Sequence, residues 1–181
     1  MATRLLLLAD THVPLRAKRL PEAVWRAIDD ADVVIHAGDW VDLATLEAIE
    51  HRAARLIAVY GNNDGADLRA RLPEVARAEI EGLRIAVVHE TGAATGRERR
   101  LDAAFADEGR PDLVVFGHSH IPWDSVTPRG TRLLNPGSPT DRRRQPVCTM
   151  MSAEVEAGRI ARVDLIPVPR AHSGASRGAA R

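Results

Sequence analysis

The sequence predicts an α/β fold with a largely parallel sheet, because short apolar runs alternate with longer amphipathic stretches. A first helix is predicted to begin at Pro21-Glu22, where proline and an acidic residue favour a helix start. Two further helices are predicted over Leu43–Arg52 and Thr95–Asp107, in which apolar residues recur at helical spacing. The predicted buried strands are Arg4–Ala9, Val33–His36, Leu56–Tyr60, Ile85–His89 and Leu113–Phe116.

The last third of the chain differs, because its apolar runs are short and separated by turn residues. Pro128-Arg129-Gly130 predicts a hairpin turn between the first two of these runs. We expect antiparallel strands that build or extend a second sheet, over Asp124–Thr127, Thr131–Asn135, Val147–Ser152 and Ile160–Val168. Residues 1–169 are predicted to form one domain, and residues 170–181, rich in Ala, Ser, Gly and Arg, to form a disordered tail.

The composition excludes several classes of protein. Of 181 residues, 45% are hydrophobic and 28% charged, which is globular rather than disordered composition. The formal net charge is +0 and aromatic residues are 3%, so binding of nucleic acid through bulk charge or base stacking is not expected. The longest apolar run, Leu5–Ala9, is far shorter than the roughly 20 residues of a membrane helix. The lone Cys148 cannot form an internal disulfide, which predicts a reducing, cytoplasmic location.

Polar residues that can bind metal follow every predicted core strand, at its carboxyl end. In open α/β sheets this is the edge at which ligands bind. Imidazole, carboxylate and amide groups together suit Mn, Fe, Zn, Co or Ni, and without a thiolate set a structural zinc site is excluded. Seven such ligands are too many for one catalytic ion and suit two ions that share a carboxylate, roughly 3.5–4 Å apart. The candidates are Asp10, His12, Asp39, Asn62, His89, His118 and His120.

The order D-x-H, G-D, G-N-x-D, H and G-H-x-H resembles the signature of calcineurin-like metallophosphoesterases. The closer resemblance is to small bacterial and archaeal phosphodiesterases of the YfcE type, whose late motif is similar to Asn135-Pro136-Gly137-Ser138 followed by Arg142. The resemblance extends from about Leu5 to about Val168. It implies a four-layer α-β-β-α sandwich, in which two packed mixed β-sheets are flanked by helices.

The resemblance also implies a role for each candidate residue. Asp39 would bridge two divalent ions, with Mn as the first candidate and Ni, Fe, Zn, Co or Mg as alternatives. The first ion would be held by Asp10, His12, Asp39 and His120, and the second by Asp39, Asn62, His89 and His118. The implied reaction is in-line attack at phosphorus by a metal-bridging hydroxide. Asn62, Asn63 and Asp64 form the implied catalytic loop, in which Asp64 would orient the chain.

Two positions depart from the family pattern. Asn63 stands where many members have His and some have Cys. Asparagine cannot act as a general acid near neutral pH, although it can donate a hydrogen bond to phosphate. We therefore expect a preference for esters with low-pKa leaving groups, or protonation of the leaving group by water. Glu90 follows His89 where the family often has Gly, and we expect it to point to solvent, to hydrogen-bond a ligand or to alter the metal preference.

Other polar residues have alternative interpretations. His36 is expected to pack behind the site rather than to bind metal. Arg142, in the run 142–144, is equally consistent with a contact to substrate phosphate and with a solvated loop. Arg97, Arg99 and Arg100 are expected on a solvated helix face, Asp42 at a helix N-cap, and Trp123 in the core rather than in a pocket wall.

The leading functional hypothesis is a two-metal phosphodiesterase that acts on a small phosphate ester. A phosphomonoesterase is an alternative of the same class. A non-catalytic metal-binding interaction scaffold of the same fold, as in the retromer subunit, is an alternative of a different class. The complete set of seven candidate ligands favours an enzyme, whereas the lack of a general acid at Asn63 leaves the scaffold as an alternative hypothesis. A homodimer is suggested by analogy with relatives, and a membrane partner is not expected.

Overall fold

The chain forms two five-stranded mixed sheets flanked by helices, which confirms the predicted fold class. The structure is a computed structural model, and it describes residues 2–106 and 109–169. The predicted tail, 170–181, lies outside the described residues, and a single domain over residues 1–169 stays a prediction. The elements are β1 Thr3–Leu8, α1 Glu22–Asp30, β2 Val33–Ala37, α2 Leu43–Arg52, β3 Leu56–Val59, α3 Ala66–Arg71, β4 Val75–Ile80, β5 Leu83–Val88, α4 Arg97–Ala104, β6 Leu113–Val115, β7 Trp123–Val126, β8 Arg132–Asn135, β9 Cys148–Glu156 and β10 Arg159–Val168.

The first sheet has the strand order β10-β9-β1-β2-β3, and the second has the order β4-β5-β6-β8-β7. Strands β1, β2 and β3 are parallel, and so are β5, β6 and β8. The remaining strands pair antiparallel at the margins of these parallel centres. The antiparallel strands predicted for the last third are therefore divided between the sheets, with the β7–β8 hairpin in the second and β9–β10 in the first.

Three apolar clusters separate the layers. One lies between the two sheets, and one side of β1, with Leu5 and Leu7, belongs to it. The other side of β1, with Leu6 and Leu8, packs against α1 and α2. A third, smaller cluster joins the second sheet to α4 through Leu101. Because side chains alternate along a strand and both faces are covered, the core strands are continuous apolar runs.

Two elements had no sequence prediction. Helix α3 has six residues and a single buried one, Leu68, so helical periodicity cannot develop within it. Strand β4 lies at the edge of the second sheet and is mostly exposed. Its apolar signal is accordingly weak, and the turn at Glu81-Gly82 joins it to β5.

The prediction of a solvated Arg97 was wrong. Helix α4 has few apolar residues, and Arg97 is buried with Leu101 on its inner face. The guanidinium carbon lies 4.8 Å from the ring centroid of Phe116 and 4.5 Å from that of Trp123. The aliphatic stem and planar head of arginine thus fill space that a larger apolar side chain would otherwise occupy.

Asp42 is confirmed as an N-cap, because Thr45 N donates to Asp42 Oδ1 at 2.9 Å. Among the described residues, no helix combines the length and hydropathy needed to cross a bilayer.

Candidate metal centre

The predicted ligands meet at an edge that both sheets share. Asp10 and His12 follow β1, Asp39 follows β2, and Asn62 follows β3, all in the first sheet. His89 follows β5 in the second sheet, and the pair His118 and His120 follows β6 in the same sheet. The carboxyl ends of parallel strands point in one direction, so the fold of two packed sheets delivers side chains from both to one place.

One group of ligands is buried and consists of Asp10, His12 and His120. Their donor atoms all lie within 4.8 Å of one another. His12 Nε2 lies 3.1 Å from His120 Nε2, and His120 Nε2 lies 3.4 Å from Asp10 Oδ1. Imidazole nitrogens and a carboxylate oxygen at these separations suit one divalent cation.

Asp39 lies between this group and the remaining ligands. Its Oδ2 is 3.5 Å from His12 Nε2, and its Oδ1 is 3.4 Å from His89 Nε2. On the far side, Asn62 Oδ1 lies 2.9 Å from both His89 Nε2 and His118 Nδ1. The two carboxylate oxygens of Asp39 thus face different groups of donors. Whereas Asp39 and His89 are buried, Asn62 and His118 are exposed, so this second group opens to solvent.

Backbone carbonyls orient two of the histidine rings. His89 Nδ1 lies 2.7 Å from Ala37 O, and His120 Nδ1 lies 2.7 Å from Asp141 O. A carbonyl only accepts hydrogen bonds, so Nδ1 carries the proton in both rings. The lone pair of a neutral ring is then on Nε2, which is the atom that faces the other ligands.

An unsatisfied atom provides a test of whether a cation fits. Asp10 Oδ2 is buried and has no hydrogen-bond partner in the part of the chain that the structure describes. A buried carboxylate oxygen without a partner is costly unless a cation or a proton satisfies it. The residues present therefore fit a bound metal, and a cation would satisfy the unpaired Oδ2 of Asp10.

Burial and neighbouring charges shift the pKa values of the ligands. Burial raises the pKa of Asp10 to about 8 and lowers that of His120 to about 4. Burial also opposes ionisation of Asp39, but hydrogen bonds and charge from His89, and hydrogen bonds from Asn63, hold the Asp39 pKa below its usual range. For His89, burial disfavours the charged form, but Asp39 and Asp10 raise the pKa overall.

The backbone of the ligand loops is strained. Five ligands have positive φ angles, which non-glycine residues rarely adopt: Asp10, His12, Asp39, His118 and His120. Such conformations cost on the order of 1–3 kcal/mol each and cluster at functional sites. In these turns Asp10 and His12 reach the same group of donors, whereas His118 and His120 reach different groups.

Two residues that follow Asn62 organise the Asp39 loop. Asn63 donates from its backbone N to Asp39 Oδ1 at 2.9 Å and from Nδ2 to Asp39 Oδ2 at 2.6 Å. Asp64 is buried and accepts from the backbone N of Gly61, Asp39 and Val41 at 2.7, 3.1 and 2.8 Å. Asp64 therefore joins the loops after β2 and β3 through their backbones, while Asn63 holds the carboxylate of Asp39 itself.

Three further residues support the centre, of which Ser138 belongs to the late motif of the sequence, whereas Arg69 and Thr140 were not predicted. The Arg69 Nε donates to Asp64 O at 2.8 Å, and its Nη2 donates to Gly61 O at 3.0 Å. Ser138 Oγ donates to Asp10 O at 2.7 Å, and Thr140 Oγ1 donates to Thr11 O at 2.6 Å. The contacts of Ser138 and Thr140 span 128 and 129 positions. All four contacts are to backbone carbonyls, which every residue has, so no pattern of side chains in the sequence indicates them.

The remaining predicted site residues lie around the ligands. Glu90 Oε1 is 3.4 Å from His118 Nδ1, at the exposed end of the centre. His36 is buried behind the ligands, where its ring stacks on Trp40 at a centroid distance of 3.5 Å. There, His36 Nδ1 accepts from Gly38 N at 3.2 Å.

The structure separates two neighbouring arginines. The guanidinium of Arg142 donates to Gln145 O and borders a cavity beside Pro146 and Pro167. Arg143, the next residue, is the one whose charge helps to lower the pKa values of His12 and His120. Of this arginine run, Arg143 therefore has the clearer electrostatic effect on the ligands.

Comparison with known families agrees with this geometry. The calcineurin-like phosphoesterase superfamily domain matches residues 3–158. The chain belongs to this family. A probable metallophosphoesterase of Methanocaldococcus jannaschii, MJ0623, is 34% identical over 149 residues, covering 82% of this chain and 74% of the relative. The phosphodiesterase MJ0936 of the same organism is 26% identical over 125 residues, covering 63% of this phosphoesterase and 71% of the relative.

Solved structures share the fold of this calcineurin-like phosphoesterase. The solution structure of protein TM1076 from Thermotoga maritima is 33% identical and has a TM-score of 0.72, covering 92% of this chain and 99% of that one. Vacuolar protein sorting 29 from Cryptosporidium parvum is 18% identical with the same TM-score of 0.72, covering 91% of this chain and 97% of that one. The second likeness shows the fold alone.

Proposed function

We propose that this phosphoesterase hydrolyses phosphodiesters with two divalent ions, Mn first among the candidates and Ni, Fe, Zn, Co and Mg the alternatives. The observation that carries the proposal is the position of Asp39, whose Oδ2 faces His12 and whose Oδ1 faces His89. A carboxylate with each oxygen directed to a separate donor group is suited to bridging two cations. When bound, the ions would supply a hydroxide nucleophile at neutral pH and neutralise charge on the phosphoryl oxygens.

The residues of the chain have distinct roles in this proposal. Asp10, His12, Asp39 and His120 would hold one ion, and Asp39, Asn62, His89 and His118 would hold the other. Asn62 contributes a neutral oxygen, which keeps the exposed side of the centre from becoming too negative for a phosphate ester. Asn63 holds the Asp39 carboxylate with two hydrogen bonds, and its amide can also donate to a phosphoryl oxygen.

The chemistry of Asn63 limits the substrates. An amide cannot deliver a proton to the leaving oxygen near neutral pH, so the leaving group must be a weak base or must take its proton from water. We therefore propose a preference for activated esters. Similarity to the phosphodiesterase of Methanocaldococcus jannaschii supports diesters over monoesters. The contact of Arg142 with substrate phosphate, a homodimer and a cytoplasmic location stay predictions.

A scaffold without activity is the second candidate. Its support is the likeness of the fold to vacuolar protein sorting 29, together with the presence at position 63 of an asparagine, which cannot act as a general acid. The buried group formed by Asp10, His12 and His120, and the unsatisfied oxygen of Asp10, suit the metal binding that both candidates require, and the match to the phosphoesterase family favours hydrolysis.

The test is hydrolysis of bis(p-nitrophenyl) phosphate by metal-stripped protein resupplied with Mn²⁺, Ni²⁺, Zn²⁺ or Mg²⁺. Asp39→Asn should lose metal-dependent turnover. Asp164→Asn should retain it, because Asp164 is a half-exposed aspartate on β10 that pairs with Arg162. The p-nitrophenyl monoester, assayed in parallel, would show which ester class is preferred. Two bound ions without turnover would favour the scaffold, and a protein that binds no metal would contradict both candidates.

A further inference from the structure

We infer that a cavity beside the second ligand group binds one ester substituent of the substrate, and that this substituent is an uncharged, ring-bearing alcohol. The cavity has a volume of about 310 Å³, and Asn62 and His89 form part of its lining. A phosphate held at the metal centre would therefore direct one of its ester groups into this space. The volume is at the lower end of the range for small-molecule pockets, which fits a single ring system rather than a polymer. The inference rests on the proposed hydrolysis of phosphate esters.

One part of the cavity wall is apolar, and two paired strands contribute to it. Val75 on β4 is directly opposite Val88 on β5 in the antiparallel register, so both side chains lie on one face of the sheet. Both line the cavity together with Tyr60, the only tyrosine of the chain. Val75 is 44% exposed. A flat ring bound between these side chains would remove the exposed apolar surface of Val75 from water.

Arg69 makes the aromatic wall rigid and connects it to the metal centre. Its guanidinium carbon lies 4.4 Å from the centroid of the Tyr60 ring. The same guanidinium donates to the carbonyls of Gly61, Asn62 and Asp64. Much of its hydrogen-bonding capacity is therefore used by the loop that carries Asn62. The ring of Tyr60 and the ligand Asn62 are thus fixed relative to one another before substrate binds.

Two carboxylates, Glu74 and Glu90, and one guanidinium, that of Arg69, give the cavity its charged lining. Glu74 immediately precedes β4, and Glu90 lies two residues beyond the end of β5. Both are exposed and both line the cavity. Ionised carboxylates only accept hydrogen bonds, so they match hydroxyl and N–H donors on a bound ring. Because the two carboxylates outnumber the guanidinium of Arg69, the lining is negative overall and would disfavour a substituent that carries a carboxylate or a second phosphate. The favoured class is therefore neutral ring-bearing alcohols with donor groups, such as nucleosides and substituted phenols.

The first experiment fills the cavity in the Mn²⁺-loaded protein. Val75→Trp places a large side chain in the space without changing a ligand of the metal centre. We expect KM for bis(p-nitrophenyl) phosphate to rise about tenfold, with little change in kcat and unchanged bound metal. Val126→Trp is the matched control, because Val126 is 59% exposed on β7, at the other edge of the same sheet. An unchanged KM in Val75→Trp, with an active parent protein, would overturn the inference alone, whereas an inactive parent would overturn the proposed function with it.

The second experiment tests the charge of the cavity. Phenyl p-nitrophenyl phosphate is compared with 4-carboxyphenyl p-nitrophenyl phosphate, which differs by one anionic group. We expect the parent protein to favour the phenyl compound about fivefold in kcat/KM, and Glu74→Lys to remove that preference. Glu79→Lys, a change of the same charge at an exposed position on β4 away from the cavity, should keep it. Equal rates for both compounds in the parent protein would contradict the acidic lining as a determinant of specificity.

Discussion

Asn63 donates two hydrogen bonds to Asp39, one from the backbone and one from the side-chain amide, and each reaches a different carboxylate oxygen. Asp39 is buried and its two oxygens face separate donor groups. The orientation of the carboxylate is therefore determined by a residue that does not itself coordinate metal in the proposed centre. Such supporting contacts generally determine how well a ligand is pre-oriented for a cation.

Replacing the Asn63 side chain should weaken metal binding. Asn63→Ala removes the Nδ2 donor at 2.6 Å but keeps the backbone donor at 2.9 Å. We expect an affinity loss of about tenfold for Mn²⁺, because loss of an outer contact to a ligand typically costs 10–100-fold. Isothermal titration of metal-stripped protein would measure it. An unchanged affinity would show that the backbone donor alone orients Asp39.

Asn63→His should change the range of substrates. An imidazole at this position can protonate a leaving oxygen, and general acid catalysis contributes on the order of 10²–10⁴ in rate. The gain should appear for alkyl leaving groups, which need a proton, and should be small for p-nitrophenolate. The comparison is kcat for one phenyl phosphodiester series with leaving groups of increasing pKa. A uniform gain across the series would indicate improved metal binding instead of proton transfer.

Asp64 should contribute more to the free energy of unfolding than an exposed aspartate does. It is buried and accepts three backbone hydrogen bonds from two different loops. Asp64→Ala would leave those donors without an acceptor, and we expect a loss of about 2–5 kcal/mol in the free energy of unfolding. Denaturant unfolding of metal-free protein measures this, with Asp67→Ala on the exposed side of α3 as the control. A loss equal to that of the control would contradict the role of Asp64 as a link between loops.

The sequence predicted the central strands, and it placed the seven candidate ligands at their carboxyl ends, because both features depend on local order; metal binding by these seven residues stays a prediction. A strand buried on both faces reads as a continuous apolar run, as Leu5–Ala9 does, and the ligands follow directly where such runs end. Strand β4 was not predicted because it is an edge strand whose exposed positions carry charged and small residues. The cavity that it borders was accordingly not predicted either.

The contacts that complete the centre depend on tertiary structure. Arg97 was expected in solvent because charged residues on a short helix usually are, yet Phe116 and Trp123 enclose it. The support of Asp10 by Ser138 spans 128 positions along the chain. Hydrogen bonds of this kind follow from how the two sheets pack, and no local pattern of residues encodes them.

Metal binding should release a proton from Asp10. Burial raises its pKa to about 8, so in metal-free protein at neutral pH the carboxyl group is mostly protonated. A ligand must lose its proton to bind metal, so affinity should rise as pH increases toward that pKa and level off above it. His120, with a pKa near 4, stays neutral throughout this range. Its protonation therefore does not compete with the metal.

The proton can be counted by calorimetry in buffers with different ionisation enthalpies. Asp10→Asn should release about one proton fewer than the parent protein on binding Mn²⁺ at neutral pH. The difference should shrink at pH 9, where Asp10 is mostly ionised before metal binds. Identical proton release by both proteins at neutral pH would show that Asp10 is already ionised in the metal-free centre.

Gly61 should tolerate no side chain, because the loop after β3 passes directly against Asp39. A Cβ on Gly61 would overlap Asp39 Oδ1 and the Asp39 backbone N. Gly61→Ala must therefore displace the Asp39 carboxylate or the loop that carries Asn62. We expect loss of bound metal and of phosphodiesterase activity, together with a lower melting temperature. Elemental analysis and thermal unfolding would measure both effects.

Gly65 provides the matched control four residues later in the same loop. It precedes α3 with a φ of −73°, and a Cβ there would meet nothing within 4 Å. Gly65→Ala should keep metal binding and activity. Its stability should change little, because the lower freedom of the unfolded chain is opposed by the poorer N-cap that alanine makes. If Gly61→Ala kept metal binding, activity and stability as Gly65→Ala does, the loop after β3 would have to shift without moving Asp39. The close approach of these two chain segments would then not be what holds the centre together.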